Sequence, residues 1–315
     1  MKRFEQQTAI VTGGTEGIGL MCAQSLAREG ASVVICNRST NGQDVENQLR
    51  DEGAEVSWFQ ADVSNADDCA KLVDACISKY GSIDILINNA GNRPISLETD
   101  ILNLSDDELA YSLQTNVHGP FNLIKNIWPY FEKEKYGRIL NFCSGHVFGS
   151  SRDFGTIPIA IAKSATIGLT KTFASAGAPL GIHVNTIFPA ALDTAWNRTG
   201  WDNITCEEET TLANICSKDK LWPLISWLCS RDLHCSGEFF SACNENITRV
   251  SLIDTENASL HEFDEVGECI KFLLSKEEYY TPRSIGHFFG NHLGLKRSKL
   301  LHRFLTRSTV STPHN

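Results

Sequence analysis

The chain has 315 residues, room for one domain of about 250 residues with an extension, and its 42% hydrophobic and 21% charged residues are typical of a globular protein. A net charge of −10 disfavours nucleic acid and anionic membranes as partners, and no apolar run reaches the ~18 residues of a membrane span. Eleven cysteines without C-x-x-C pairs argue against a disulfide framework and a metal site, and the lack of secretory-signal features at the N-terminus favours the cytoplasm.

Strand-sized apolar runs alternate with helix-length segments through most of the chain. The predicted strands are Thr8 to Thr12, Ser32 to Cys36, Val56 to Gln60, Ile83 to Asn88, Arg138 to Cys143 and His183 to Phe188. The predicted helices are Ile18 to Glu29, Gly42 to Glu52, Ala66 to Tyr80, Ser105 to Phe131 and Ile159 to Ala176. Continuous apolar strands in repeated β-α units are typical of a parallel sheet covered on both faces. The predicted fold class is therefore α/β, with a doubly wound parallel sheet.

Two of the predicted helices begin with residues that suit helix capping. Ser105, followed three residues later by Glu108, has the form of a capping box, and Ser64 with Asp67 is a weaker version of the same pattern. Both pairs support the predicted helix starts.

The β-α rhythm weakens after the last of these strands. Residues 191–220 predict a long loop over the carboxyl edge of the sheet, which is a candidate lid over a substrate. Leu221 to Cys229 is predicted as a helix, and Gly237 to Ala242 as a last short strand. We therefore assign residues 1–250 to one domain and residues 251–315 to an extension without an assigned role, with a helix from Asp264 to Ser275.

A glycine-rich segment follows the first predicted strand and opens the first predicted helix. It reads Thr12-Gly13-Gly14-Thr15-Glu16-Gly17-Ile18-Gly19. Glycines let the backbone turn sharply and approach a pyrophosphate, whose charge then meets the free N–H groups at the start of the helix. A glycine cluster alone often marks a plain tight turn, but strand, cluster and helix together predict a dinucleotide site. The residues predicted to contact the cofactor here are Gly13, Thr15, Gly17, Ile18 and Gly19.

The end of the second strand bears on the choice of dinucleotide. A carboxylate there would bind both ribose hydroxyls of NAD, whereas a neutral residue followed by Arg suits the 2′-phosphate of NADP. Asn37 and Arg38 therefore favour NADP(H) over NAD(H). Glu16 in the glycine loop weighs against a phosphate, and a surface ion pair is the alternative role for Arg38.

Two further motifs complete a pattern that resembles the short-chain dehydrogenase/reductase family. Asp62 and Val63 follow the third strand, and Asn88-Asn89-Ala90-Gly91 follows the fourth, at spacings that match the family over residues 5–245. The resemblance implies a Rossmann fold, adenine contacts from Asp62 and Val63, and a structural role for Asn89 and Gly91. Pro189 and Thr194 match its nicotinamide-side segment, although Ala190 replaces the usual Gly. Within the family, the chain looks most like the hydroxyacyl-CoA dehydrogenase domain of peroxisomal multifunctional enzymes.

The resemblance also implies a catalytic arrangement from which one member is missing. Ser144 would bind the substrate oxygen, Asn116 would hold a water in a proton relay, and Lys163 would bind the ribose. The family places a Tyr four residues before the Lys, where this chain has Ile159. Because Ile cannot transfer a proton, ordinary carbonyl reduction is expected to lose a factor of ~10²–10⁴ unless another group substitutes.

Two nearby residues are candidates for that substitution. His146 lies two residues after Ser144, and Asp153 lies in a segment that is longer than usual for the family. Arg152 beside Asp153 could stabilise an oxyanion, but an exposed Arg/Asp ion pair is the alternative reading.

Three functions remain open from the residues and the resemblance together. The leading one is an NADP(H)-dependent oxidoreductase acting on a hydroxyl/ketone pair of a small molecule. The others are a non-redox isomerase or cyclase that keeps the cofactor as a scaffold, and a catalytically silent cofactor-binding protein. The resemblance further implies a homodimer or homotetramer that pairs through the helices at about 105–131 and 159–176.

Overall fold

A computed structural model of the chain describes residues 2–92, 101–149, 157–189, 217–243, 246–255, 262, 266–276 and 279–280. The chain divides into two compact units, Met1–Val250 and Ser251–Asn315. Within the described residues, none of the helices combines the length and the apolar character that are needed to cross a membrane.

The first unit is built on one eight-stranded sheet. Its strands are β1 (Thr8–Thr12), β2 (Ser32–Asn37), β3 (Val56–Gln60), β4 (Ile85–Asn88), β5 (Gly137–Phe142), β6 (Ile182–Pro189), β7 (Phe239–Cys243) and β8 (Asn246–Val250). They lie in the order β3-β2-β1-β4-β5-β6-β7-β8, and every neighbouring pair is parallel except β7 with β8. The order reverses between β1 and β4, so the predicted doubly wound α/β sheet is confirmed.

Helices cover both faces of this sheet. They are α1 (Gly17–Arg28), α2 (Gly42–Asp51), α3 (Ala66–Tyr80), α4 (Asp106–Leu113), α5 (Gly119–Glu134), α6 (Ile157–Gly177) and α7 (Trp222–Cys229). Because side chains alternate along a strand, neighbouring residues of β1 enter different cores. Val11 packs in the core with α1, α2 and α7, and Ile10 packs in the core with α3, α5 and α6. The free thiols that the structure describes are buried except that of Cys235, which is half-buried.

The predicted helix from Ser105 to Phe131 is present as one continuous run of helical residues, but it is not a regular α-helix throughout. A π-helical segment, Gln114–His118, separates α4 from α5, and the Gly119 N–H bonds to the carbonyl of Gln114, five residues back. The cause is Pro120, which has no N–H to donate to the carbonyl of Asn116, as a continuous α-helix would require. The extra residue in this turn is a feature that often occurs at functional sites.

One of the two predicted caps is as expected and one is not. Ser105 and Glu108 form a complete capping box at the start of α4. At α3 the cap is Asn65, whose side chain accepts from the backbone N–H groups of Asp67 and Asp68. Ser64 instead donates its hydroxyl to the Asp62 carboxylate at 2.7 Å.

The sequence patterns missed the antiparallel strand β8 at the edge of the sheet. Its residues are exposed except for the half-buried Val250, so β8 shows no alternation of apolar and polar positions. In the second unit, β9 (Asp254–Thr255) pairs with β10 (Tyr279–Tyr280), and α8 spans Val266–Leu274. Within the described residues, the predicted helix from Asp264 to Ser275 is confirmed over Val266–Leu274. The predicted lid over 191–220 lies outside the described residues, apart from a short 3₁₀ turn at Lys218–Leu221.

Candidate functional site

The carboxyl ends of the central parallel strands open into a cavity of about 440 Å³. The cavity is lined by these predicted site residues: Gly13, Thr15, Gly17, Ile18, Asn37, Arg38, Asp62, Val63, Asn89, Gly91, Ser144, His146, Lys163 and Pro189. Gly19 and Asn116 are not part of its wall. Asp153 and Thr194 lie outside the described residues. A crevice at the carboxyl ends of the strands, where the strand order reverses, is where open α/β sheets bind their ligands.

The glycine loop forms the wall of the cavity between β1 and α1. Gly13 and Gly17 have φ values of +61° and +55°, which are left-handed conformations that favour glycine. The N–H groups of Gly13 and Gly14 donate to the carbonyl of Cys36 at 2.8 and 3.3 Å, which ties the loop to the end of β2. Helix α1 has no side-chain cap from Glu16, so its first N–H groups are free to bind an anion.

Polar contacts from the end of β4 hold this loop in place. Thr12 Oγ1 accepts from the N–H groups of Asn89 and Ala90 at 3.0 and 2.9 Å. Asn89 Nδ2 donates to the carbonyls of Thr12 and Gly13 at 2.9 and 3.2 Å. Asn89 therefore clamps the turn that a pyrophosphate would approach, and this half of the site fits a dinucleotide.

Gly19 acts behind the cavity wall, where α1 crosses the loop. A Cβ at this position would collide with the Gly13 carbonyl and the Asn89 amide. We expect Gly19→Ala to displace the loop at a cost of ~1–3 kcal/mol and to weaken NADPH binding by ~10–100-fold in calorimetric titration. Gly267→Ala is the matched control, because a Cβ there has nothing within 4 Å. Equal NADPH affinity in both variants would contradict this role of Gly19.

Arg38 stands at the tip of β2 and is held by two neighbours. Its guanidinium lies 4.0 Å from the Asp62 carboxylate, and both side chains are partly exposed. The pKa of Arg38 is raised, chiefly because the guanidinium hydrogen-bonds to the Tyr111 side chain, with a smaller contribution from Asp62. Arg38 therefore has the ion pair that was the alternative to cofactor binding, yet the residue also lines the cavity.

The neighbouring Asn37 has its side chain committed to other residues. Its Oδ1 accepts from Trp58 Nε1 at 2.7 Å, and its Nδ2 donates to Ser39 and Asn41 at 2.9 Å each. The tip of β2 itself therefore carries no carboxylate, which is the residue type that binds both ribose hydroxyls of NAD at this position.

The other end of the cavity follows β5, where Ser144 meets His146. Ser144 Oγ lies 2.6 Å from Nδ1 of His146, and the backbone N–H of His146 points back to Ser144 Oγ at 3.4 Å. Both side chains are half-buried, on a 3₁₀ turn spanning Gly145–Phe148 that Ser144 caps. Burial lowers the pKa of His146, so the neutral imidazole is the main form at neutral pH.

Lys163 reaches the same end of the cavity from α6. Its Nζ donates to the carbonyl of Phe142 at 2.9 Å. Burial lowers the pKa of Lys163 to about 8, with Cys143 acting weakly in the opposite direction. Ile159, one helical turn earlier, also lines the cavity and is 2% exposed. The residue beside Lys163 is therefore an apolar side chain without a proton to exchange.

Asn116 lies behind the cavity in the π-helical segment. Its Nδ2 donates to Asn92 Oδ1 at 2.6 Å and to the Ser112 carbonyl at 2.9 Å. Its Oδ1 is buried without a partner among the described residues. A Cβ on Gly91 would lie 3.3 Å from this Oδ1 and 3.9 Å from Lys163 Nζ. The two polar atoms thus lie on the same side of Gly91, and the water-holding role of Asn116 stays a prediction.

Several residues of the cavity wall were not predicted. They are Cys36, Ser39, Asn41, Ala61, Ala90, Thr115, Phe142 and Cys143. Most of them flank predicted site residues at strand ends, so strand-end position was the usable signal. Thr115 lies in the π-helical segment, and the sequence signal for it was Pro120.

Known proteins are similar to this chain in sequence and in fold. The family described as "short chain dehydrogenase" matches residues 7–204. The peroxisomal hydratase-dehydrogenase-epimerase of Neurospora crassa is 36% identical over 227 residues, which are 72% of this chain but only 24% of that longer protein. Dehydrogenase/reductase SDR family member 4 of Caenorhabditis elegans is 32% identical over 240 residues, which cover 73% of this chain and 91% of the relative. A solved actinorhodin polyketide ketoreductase with NADPH has a TM-score of 0.68 and 25% identity, and the match covers 76% of this chain and 96% of that one.

Proposed function

The chain belongs to the short-chain dehydrogenase family, and from that premise we propose that it is an NADP(H)-dependent oxidoreductase acting on a hydroxyl/ketone pair of a small molecule. One observation carries the proposal: a single cavity joins a glycine loop and Arg38 at one end to Ser144 and Lys163 at the other. The family relatives are dehydrogenases and reductases, which supports redox chemistry in this cavity.

Different groups of described residues would bind different parts of the cofactor. The glycine loop and the start of α1 would hold the pyrophosphate, because free N–H groups and the helix dipole favour an anion there. Asp62 and Val63 would border the adenine, and Lys163 would hold the ribose next to the nicotinamide. When bound, the cofactor supplies or accepts the hydride.

The preference for NADP(H) rests on Arg38. A guanidinium binds phosphate oxygens with strong, charge-assisted hydrogen bonds. Tyr111 and Asp62 hold this guanidinium at the cavity wall, so little ordering remains to be done when a 2′-phosphate arrives. The structurally similar actinorhodin polyketide ketoreductase was solved with NADPH, which is consistent with this preference.

Arg38→Gln is expected to reduce NADPH affinity by ~10–100-fold, the equivalent of one or two lost charge-assisted hydrogen bonds. NADH carries no 2′-phosphate, so its affinity is expected to stay within about threefold of wild type. Calorimetric titration with each cofactor measures both values. Arg50→Gln is the control, because Arg50 pairs with Glu46 on α2 and does not line the cavity. Equal losses for NADPH and NADH would contradict the assignment, and no binding of either cofactor by the wild type would overturn the proposed function.

Ser144 would bind the reacting oxygen of the substrate. Ser144 lines the cavity, as do Lys163 and Pro189. The positive charge of Lys163 would favour negative charge that develops on that oxygen, since electrostatic effects are strong in a partly desolvated site. Ile159 adds no proton to this arrangement, which is the main departure from the pattern that the family resemblance implies.

The same departure favours a second candidate function. A protein that binds NADP(H) as a scaffold, either for a non-redox isomerisation or without catalysis, would not need a Tyr at position 159. This candidate function predicts that the protein binds the cofactor but that nicotinamide absorbance does not change when alcohols or ketones are added. A spectrophotometric assay with these substrates tests the prediction.

We further propose that the protein acts as a homodimer or homotetramer in the cytoplasm. Phe121 on α5 and Ile161 on α6 are each 48% exposed, so both helices present apolar side chains on their outer faces. Apolar residues on an outer helix face support a subunit interface.

A further inference from the structure

We infer that the Ser144–His146 pair carries the substrate proton in place of the missing Tyr, with the Ser144 hydroxyl as the contact group and the imidazole as the proton reservoir behind it. This inference rests on the proposed oxidoreductase function and deepens it. It is carried by the 2.6 Å contact between Ser144 Oγ and His146 Nδ1 inside the cavity.

The 3₁₀ turn brings the Ser144 hydroxyl and Nδ1 of His146 within hydrogen-bond distance, and the backbone N–H of His146 also donates to Ser144 Oγ. A neutral imidazole has one donor and one acceptor nitrogen, and the proposed role as a base assigns the Ser144 hydroxyl as the donor to Nδ1. Nδ1 is then the acceptor, and Nε2 carries the ring proton. An alcohol that donates to Ser144 Oγ would complete a chain of two hydrogen bonds that ends on a basic nitrogen.

Alcohol oxidation follows from this chain with all atoms in balance. The substrate O–H bond breaks and its proton passes to Ser144 Oγ, while the Ser144 proton passes to Nδ1 of His146. The oxygen electron pair forms the C=O bond, and the hydride leaves the carbinol carbon for the oxidised cofactor. The products are a ketone, reduced cofactor and an imidazolium, which loses its extra proton to solvent. Carbonyl reduction is the reverse and begins from the imidazolium.

The surroundings of His146 suit the role of a base. Its pKa is lowered by burial, so the neutral form that accepts a proton is the main form at neutral pH. The titratable residues of the cavity wall nearest in the fold are Lys163, on α6, which packs against this turn, and Cys143, which directly precedes Ser144. The pKa of the Cys143 thiol is raised by burial to about 11, so it carries no charge at neutral pH.

The first test needs no substrate. The imidazole pKa of His146 is measured by NMR in wild type and in Ser144→Ala, each saturated with NADP⁺. A hydroxyl that donates to Nδ1 stabilises the neutral ring, so its removal is expected to raise the pKa. His234 is exposed and bonds to the carbonyl of Asp232, so it serves as the internal control without a shift. An unchanged pKa at His146 would overturn the inference even where cofactor binding is intact.

The second test follows hydride transfer from 3-hydroxybutyryl-CoA to NADP⁺ as a function of pH. This probe is chosen because the chain resembles the hydroxyacyl-CoA dehydrogenase domain of peroxisomal multifunctional enzymes in its sequence. The oxidation rate is expected to rise through the acidic pKa of His146 and then level off, whereas reduction of acetoacetyl-CoA is expected to fall through the same pKa. In His146→Gln, the acidic limb disappears and kcat falls by ~10²–10⁴-fold, while NADPH affinity stays unchanged.

Control variants separate this inference from its alternatives. His234→Gln is expected to behave as wild type. If Asp153→Asn removes the acidic limb and His146→Gln does not, Asp153 is the proton acceptor and the inference is overturned. If the wild type binds NADP⁺ but transfers no hydride in either direction, the proposed function fails, and the NMR result alone decides whether the Ser144–His146 pair exists.

Discussion

Ser144→Ala is expected to lower kcat for the hydroxyl/ketone reaction by ~10²–10³-fold, the usual effect of removing one hydrogen-bonding group from a reacting oxygen. Ser144 lines the cavity beyond β5 and bonds to His146 Nδ1 at 2.6 Å, so its loss removes both the substrate contact and the link to the imidazole. The glycine loop lies beyond β1 and makes none of the hydrogen bonds of Ser144. NADPH affinity is therefore expected to stay within about twofold of wild type.

Two further substitutions show whether the effect is chemical. Ser164→Ala is the matched control, because Ser164 is exposed on α6 and its hydroxyl bonds to the Ala160 carbonyl. Ser144→Thr keeps a hydroxyl and is expected to recover part of the rate. The same recovery would occur if Ser144→Ala lowered the rate only by removing the cap of the 3₁₀ turn, because Thr can also cap the turn. The two causes separate in the cofactor titration: a disturbed turn weakens NADPH binding in Ser144→Ala, whereas loss of the reacting contact lowers kcat alone.

The sheet was predictable because its strands are buried on both faces. Strands such as Val33 to Cys36 are almost entirely apolar, and each is followed by a helix-length segment. Strand β8 was not predicted, because its mostly exposed residues do not form a hydrophobic pattern. The π-helical segment between α4 and α5 was missed for another reason: Pro120 was present in the sequence, but the apolar periodicity continues on both sides of it.

The cofactor end of the site was easier to predict than the catalytic end. Gly13, Asp62 and Asn89 each stand where a strand ends, and parallel strands bring such positions to one edge. The contact between Ser144 and His146 depends on the 3₁₀ turn at Gly145–Phe148. Two residues that are close in sequence make such a contact only in certain turn conformations, so their spacing alone did not predict it. The surroundings of Asn116 could not be predicted either. Its Oδ1 is buried without a partner among the described residues, and the residue lies behind the cavity in a π-helical turn that the sequence pattern did not indicate.

Ile159→Tyr tests whether this site lacks only a proton donor. In a His146→Gln background, we expect the added Ile159→Tyr substitution to raise kcat by ~10²–10⁴-fold, the factor that acid/base catalysis contributes. Ile159 and Lys163 are four residues apart on α6, so they share a helix face, and both line the cavity. The introduced phenol would therefore point into the cavity beside Lys163, whose positive charge favours the phenolate.

Ile247→Tyr in the same background provides the control, because Ile247 on β8 is 54% exposed and does not line the cavity. It should leave kcat unchanged. The larger side chain at position 159 replaces a residue that is 2% exposed, so a stability loss of ~1–3 kcal/mol is expected and is measured by urea denaturation. A folded double variant that binds NADPH but gains no rate would mean that proton transfer does not limit this site. In that variant, Ser144, Lys163 and the introduced Tyr would all be present and the rate would still not rise. That result would favour a scaffold role for the cofactor over hydride transfer.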